Sequence, residues 1–117
     1  MTLSPAEKAA LLLAENPEHD WRLEELAGLV HLSVSQLGRV FIRRFDLSPM
    51  RFLMSLRAHR LARLLLETDL SITEAMERVG WHSRGHAARH FKATFGVSPS
   101  RYRASSRSIS RPPQPDL

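Results

Sequence analysis

The feature that most constrains this chain is that it nearly repeats itself. Shifted by fifty residues, segment 41–53 falls on segment 91–103: Phe41 pairs with Phe91, Phe45 with Phe95, Leu47 with Val97, Ser48 with Ser98, Pro49 with Pro99, Arg51 with Arg101 and Phe52 with Tyr102. A fixed offset this dense means two copies of one supersecondary unit, since like strings of residues reach like local solutions. Upstream the register continues through Ser33 and Ser83 and then slips by one residue. Leu23 and Glu25 thereby fall opposite Ile72 and Glu74, with His82 as the additional residue, in a turn where insertions are tolerated.

Each copy reads as helix, turn, helix, then a Ser-Pro stop and restart. The first predicts a short helix over 23–30, a turn over 31–33 and a longer helix over 34–45, with Leu37, Phe41 and Phe45 on one stripe. The second predicts the same elements over 72–79, 80–83 and 84–95. Ser33 and Ser83 are placed to cap the longer helices, and Ser33-Val-Ser-Gln36 and Ser71-Ile-Thr-Glu74 have the form of capping boxes. Ser48-Pro49 and Ser98-Pro99 each set a cap before a proline at the first helical position, where its missing amide hydrogen costs nothing. The helix after Ser48 is expected to reach about Thr68, with Phe52, Leu53, Leu56, Leu61, Leu64 and Leu65 apolar, giving a stiff spacer of roughly 27 Å. Ser4-Pro5-Ala6-Glu7 opens an N-terminal amphipathic helix that ends before Asn16-Pro17.

The expected fold is therefore all-α, with two helix-turn-helix subdomains joined by a long central helix and about seven helices in total. Its expected divisions are residues 1–48, a linker helix over 49–68, a second helix-turn-helix and terminal helix over 69–103, and a mobile tail over 104–117. The tail is inferred because that stretch is rich in Ser and Pro and has too few apolar groups to offset its ordering entropy.

Charge is distributed as unevenly as the repeats are regular. Residues 1–30 carry two bases and six acids, while residues 31–117 carry fifteen bases and six acids, for a total of +5. Only Lys8 and Lys92 among the 17 basic residues are lysines. An arginine excess suits forked recognition of phosphate and guanine, although an arginine-rich genome would explain the ratio as well. The asymmetry points more directly to an anionic partner. There is no cysteine, hence no disulfide or thiolate metal site, and no apolar run approaches the roughly 20 residues needed to span a bilayer. No signal peptide is read at the N-terminus, so a cytoplasmic location without membrane association is expected.

An α-helix fits the major groove of DNA, and a helix-turn-helix presents its second helix there. With Leu37, Phe41 and Phe45 inward, Ser35, Gln36, Arg39 and Arg43 project from the opposite face; the equivalent set is Gly85, His86, Arg89 and Ala93. A lone arginine on a helix is usually only a solvated charge. Arg39 and Arg89 recur in one register, which marks them as the principal base readers, each able to donate twice to guanine, while Gln36 could pair with adenine. Ser35, Arg84, Gly85 and His86 complete the base-reading candidates, with Arg84 in the first turn equally suited to phosphate. Phosphate is assigned to Arg43, Arg44, Arg51, Lys92 and Arg101, and to the capped helix starts at Ser33 and Ser83.

These residues carry a resemblance. Over about residues 6–103 the chain is similar to the DNA-binding domain of the AraC/XylS family of transcriptional regulators. The second half supplies Ser71-Ile-Thr-Glu74, Val79-Gly80-Trp81, Ser83, His86, Arg89-His-Phe91-Lys92, Phe95-Gly96-Val97-Ser98-Pro99 and Tyr102-Arg103. The first supplies Leu26-Ala27, Leu32-Ser33, Leu37, Arg39-Val-Phe41 and Arg57. The resemblance implies seven helices, with two reading helices in successive major grooves on one DNA face, and tilts the role toward activation, with RNA polymerase as a partner. Several positions depart from the pattern. Asp46 stands where the second copy has Gly96, and His31 where it has Gly80; an Asp in a left-handed cap predicts retained geometry at some cost in stability. Met76 faces the small Ala27, predicting looser or rearranged packing in the second unit, and Ala87 replaces a bulkier residue. Gly85 weakens its helix by about 1 kcal/mol relative to Ala while allowing close approach of the backbone to DNA.

Catalysis has no visible means: there is no phosphate-cradling glycine loop and no nucleophile with a base and an orienting partner. No cofactor is expected. His82, His86 and His90 recur every four residues, but His82 precedes its helix, His90 is expected to turn away from the reading face, and no carboxylate or cysteine completes a metal site. Trp21 and Trp81 read as packing residues rather than stacking platforms. The leading expectation is a sequence-specific regulator binding double-stranded DNA. No sensing domain lies within these residues, so control falls to expression level, a partner, or an effector or oligomerisation domain elsewhere. A non-specific architectural DNA binder and a protein-interaction module with a degenerate second helix-turn-helix remain the alternatives.

Overall fold

Helix boundaries follow the caps. The computed structural model describes residues 2–109, and these form seven helices with no strand among the described residues: α1 (Pro5–Glu15), α2 (Leu23–Leu29), α3 (Val34–Phe45), α4 (Pro49–Glu67), α5 (Ile72–Arg78), α6 (Arg84–Phe95) and α7 (Pro99–Ile109). Ser4 and Ser33 form reciprocal capping boxes with Glu7 and Gln36. Ser71 differs from the box expected for it: its hydroxyl accepts from the Glu74 amide at 3.0 Å but donates to the Glu74 carboxylate, also at 3.0 Å. The side-chain oxygens of Ser48 and Ser98 accept from the amides of Arg51 and Arg101 at 3.2 and 3.3 Å, opening α4 and α7.

Packing divides the chain into Met1–Arg57 and Ala58–Leu117, so the cut falls inside α4 rather than at either of its ends. In the first unit α1 packs on α2 and α3, around a core of Ala9, Ala10, Leu13, Leu26, Ala27, Val30, Leu37, Phe41 and Leu53, with Met50, Phe52, Met54 and Leu56 of α4 half-buried against it. In the second unit Ala58, Leu61, Ala62, Leu65, Ala75, Met76, Val79, Trp81, Ala87 and Phe91 are buried. The cut exposes a further layer of the repeat: the buried residues Ala6, Ala9, Ala10 and Leu13 of α1 have the spacing of Ala58, Leu61, Ala62 and Leu65 in α4. α4 is thus the closing helix of one copy continued into the opening helix of the next.

Three other correspondences support this reading. Phe41, Phe45 and Phe52 form an aromatic triad with ring centroids 4.8, 5.3 and 5.5 Å apart; Phe91, Phe95 and Tyr102 repeat it at 4.7, 5.3 and 5.2 Å. Edge and tilted contacts at these distances suit the quadrupoles of aromatic rings. The inter-helix turns also match: Leu32 N donates to Ala27 O at 2.9 Å and Trp81 N to Met76 O at 3.0 Å. Met76 therefore preserves the turn despite its bulk, and it is as buried as Ala27. Finally, the left-handed positions coincide, with φ of 60° at His31 against 100° at Gly80, and 61° at Asp46 against 82° at Gly96.

The chain from residue 104 departs from the tail expected of it. α7 continues to Ile109, because Arg107 reaches back to Thr68 O at 3.3 Å and to the Asp69 carboxylate at 3.0 Å. The remainder of that expected tail, 110–117, lies outside the described residues.

Candidate nucleic-acid interface

The longer helix of each pair presents one face to its core and the other to solvent. In α3, Leu37 and Phe41 are fully buried while Ser35, Gln36, Arg39 and Arg43 are exposed; in α6, Ala87 and Phe91 are buried while Arg84, Gly85, His86, Arg89 and Lys92 are exposed. Arg39 and Arg89 each lie two residues after a core position and two before the buried phenylalanine, which fixes them on the outward side of a 3.6-residue period. Among the described residues Arg39, Arg43, Arg51, Arg84, Arg89, Lys92 and Arg101 have no side-chain hydrogen bond or ion pair, so their donors are available to an external acceptor. The exposed Ser33 and Ser83 accept from the amides of Gln36 and His86 at 3.1 and 3.3 Å.

Three candidates are already engaged. Gln36 Oε1 accepts from the Ser33 amide at 2.9 Å, so bidentate pairing with adenine, which uses both ends of the amide, competes with that half of the capping box for the orientation of the side chain. Arg44 lies over the Phe45 ring, 4.9 Å from its centroid, and 4.0 Å from Glu7. His86 meets His90: their Nε2 atoms are 3.1 Å apart. His90 itself is half-buried and its ring also lies parallel to that of Trp81.

Side chains that hold the interface from behind were less visible in the sequence. Buried Arg57 donates from Nε to Pro17 O at 2.8 Å and from an Nη to His19 O at 2.9 Å, tying α4 to the loop that leads into α2. Burial pulls its guanidinium pKa below the ordinary arginine value, an effect opposed by the carboxylates of Asp20 and Glu18. In the second unit Arg103 donates to Leu65 O and Thr68 O, and Arg107 to Thr68 O and Asp69, fastening α7 to the loop that leads into α5. Arg57 and Arg107 are fifty residues apart. The repeat offset, followed four residues beyond Arg103, is the signal that pairs them.

No helix among the described residues is long and apolar enough to cross a membrane. A family profile described as a helix-turn-helix domain matches residues 26–105. The HTH-type transcriptional regulator MtrA of Neisseria gonorrhoeae is 34% identical over 89 residues, covering 76% of this chain and 30% of that protein. The chain spans a third or less of the length of the curated relatives it matches. Among solved structures, the DNA-binding domain of AdpA, crystallised with a target DNA, superposes with a TM-score of 0.87 at 28% identity, over 96% of this chain and 99% of that one. An AraC-type regulator from Chromobacterium violaceum gives 0.80 at 26% identity, over 96% and 95%. The chain belongs to the AraC-type helix-turn-helix family of transcriptional regulators. It carries that family's DNA-binding domain, and the family and its relatives are DNA-binding regulators rather than enzymes.

Proposed function

We propose that the chain reads double-stranded DNA sequence-specifically, with α3 and α6 entering adjacent major grooves, and that it activates transcription in the cytoplasm. The observation that carries the reading is the pair Arg39 and Arg89: equivalent in the repeat, exposed, without a side-chain partner among the described residues, and each on the helix face opposite a buried phenylalanine. A guanidinium so placed can donate twice to guanine O6 and N7. Ser35, Gln36, Arg84, Gly85 and His86 flank these readers on the same faces. Arg43, Arg51, Lys92 and Arg101 supply phosphate contacts with the helix starts at Ser33 and Ser83, and Arg44 joins them on leaving Glu7. RNA polymerase is the proposed protein partner. An effector or oligomerisation domain, of the kind the greater length of the relatives accommodates, is the proposed source of control.

Selection of preferred sites from random duplexes tests the proposal. Two conserved blocks are expected, with Arg39→Ala relaxing one base position by about 1–3 kcal/mol, Arg89→Ala relaxing a position in the other block, and Arg51→Ala weakening all sequences alike. Equal losses on every sequence for all three variants would favour an architectural binder, and a single conserved block would remove α6 from base reading.

A further inference from the structure

The second unit carries a pair of imidazoles that the first lacks, since the positions of His86 and His90 are occupied by Gln36 and Val40 in α3. The two rings lie one turn apart on α6 and meet edge to face, with centroids 4.5 Å apart and planes at 81°. Their Nε2 atoms are 3.1 Å apart. Bonds of about 2.0–2.1 Å drawn from both nitrogens to one zinc ion would meet at an angle of about 98°, close to a tetrahedral angle. Four-residue spacing on a helix is the arrangement by which two histidines share a metal.

We propose that His86 and His90 form a two-imidazole chelate for a zinc-class divalent cation, and that its occupancy withdraws His86 from DNA. The second half of the proposal rests on the base-reading role given to His86 above. One ligand is held in advance: the half-buried His90 ring lies parallel to the buried Trp81 indole, with 13° between planes and centroids 6.2 Å apart. The other, His86, is exposed and can be reached from solvent. Without metal, the rings share one hydrogen between their Nε2 atoms; to take up metal, the ring that carries it loses that Nε2 hydrogen to solvent and takes one from solvent at Nδ1, which leaves both Nε2 lone pairs for the cation. No third His, Cys, Asp or Glu joins them in a metal-holding group among the described residues, so water completes the coordination. Arg84, Arg89 and Lys92 on the same helix add positive charge that weakens cation binding. Both features make the site exchangeable, as a site that responds to metal supply must be, rather than permanently filled.

The test uses the whole chain and zinc alone, followed by NMR of the imidazole nitrogens. His86 and His90 should shift together with one midpoint while His19, His31 and His59 stay unmoved, and either His86→Gln or His90→Gln should weaken binding by about tenfold or more, since each removes the chelate. Movement of one ring alone, or full affinity in either variant, overturns the site. In a second arm, zinc should weaken binding of the chain to its preferred duplex and leave the His90→Gln variant indifferent. Unchanged duplex affinity at zinc levels that fill the site overturns the withdrawal of His86. A chain with no preferred duplex would instead refute base reading, and the first arm, which contains no DNA, would still decide the chelate.

Discussion

Single residues here set backbone geometry as much as chemistry. Asp46 adopts the left-handed conformation that Gly96 adopts in the second copy, and a side chain in that region costs energy that glycine does not. Asp46→Gly should therefore stabilise the chain by about 0.5–1 kcal/mol in denaturant unfolding, and Gly96→Ala should destabilise it by about 1 kcal/mol. The latter cost would be purely conformational, since a Cβ at Gly96 meets no atom within 4 Å. Arg57→Ala removes donors from two loop carbonyls and should cost about 2–3 kcal/mol, with Arg57→Lys restoring only part because a point charge cannot fork to both. Glu7 gives a pH signature. The Ser4 hydroxyl and amide, aided by Arg44, hold its carboxyl below the ordinary carboxylate range. A depressed pKa stabilises the folded state at pH above that range, and the contribution is lost as pH falls through Glu7's own lower value. Glu7→Gln should flatten this acid limb of the unfolding midpoint.

At the level of helices, serine caps decide where every element but α2 begins, and that is why most boundaries could be read in advance. Ser33, Ser48, Ser83 and Ser98 act locally, over three residues, with no help from distant chain. Ser83→Ala should cost about 1 kcal/mol, visible as faster amide exchange in the first turn of α6, whereas Gly38→Ala, which meets nothing within 4 Å, should strengthen α3 by up to about 1 kcal/mol. The last turn of α7 was not legible by the same logic. Its residues have no apolar period, and its order comes from Arg107 bonding Thr68 and Asp69, 39 and 38 residues away in sequence. Truncation after Arg103 should thus lower hydrogen-exchange protection at the start of α5, a segment it never touches in sequence. The His86–His90 contact was equally hidden, because spacing puts two side chains on one face without saying which way each ring turns.

Over the whole molecule, the offset of fifty made the duplication plain, but the division at Arg57 and Ala58 was not, since α4 is one uninterrupted helix with apolar residues throughout. Spacing alone reads such a helix as a connector; only burial assigns its first part to one core and its second to the other. The charge imbalance, −4 over residues 1–30 and +9 over the rest, belongs to this scale too. DNA affinity should fall steeply with salt, and Arg101→Ala should make the log–log slope shallower by about 1, as loss of one phosphate contact requires. A helix shared between two copies has a further implication for how such chains could be lengthened. α7 occupies the place α4 holds at its start, yet beyond Ile109 the sequence turns to Ser110-Arg111-Pro112-Pro113 instead of offering another Ala-x-x-Leu-Ala-x-x-Leu ladder. Grafting such a ladder and a third helix pair onto α7 would make a protein of three modules, each joint built from unbroken helix, and so convert a doublet into an extendable series.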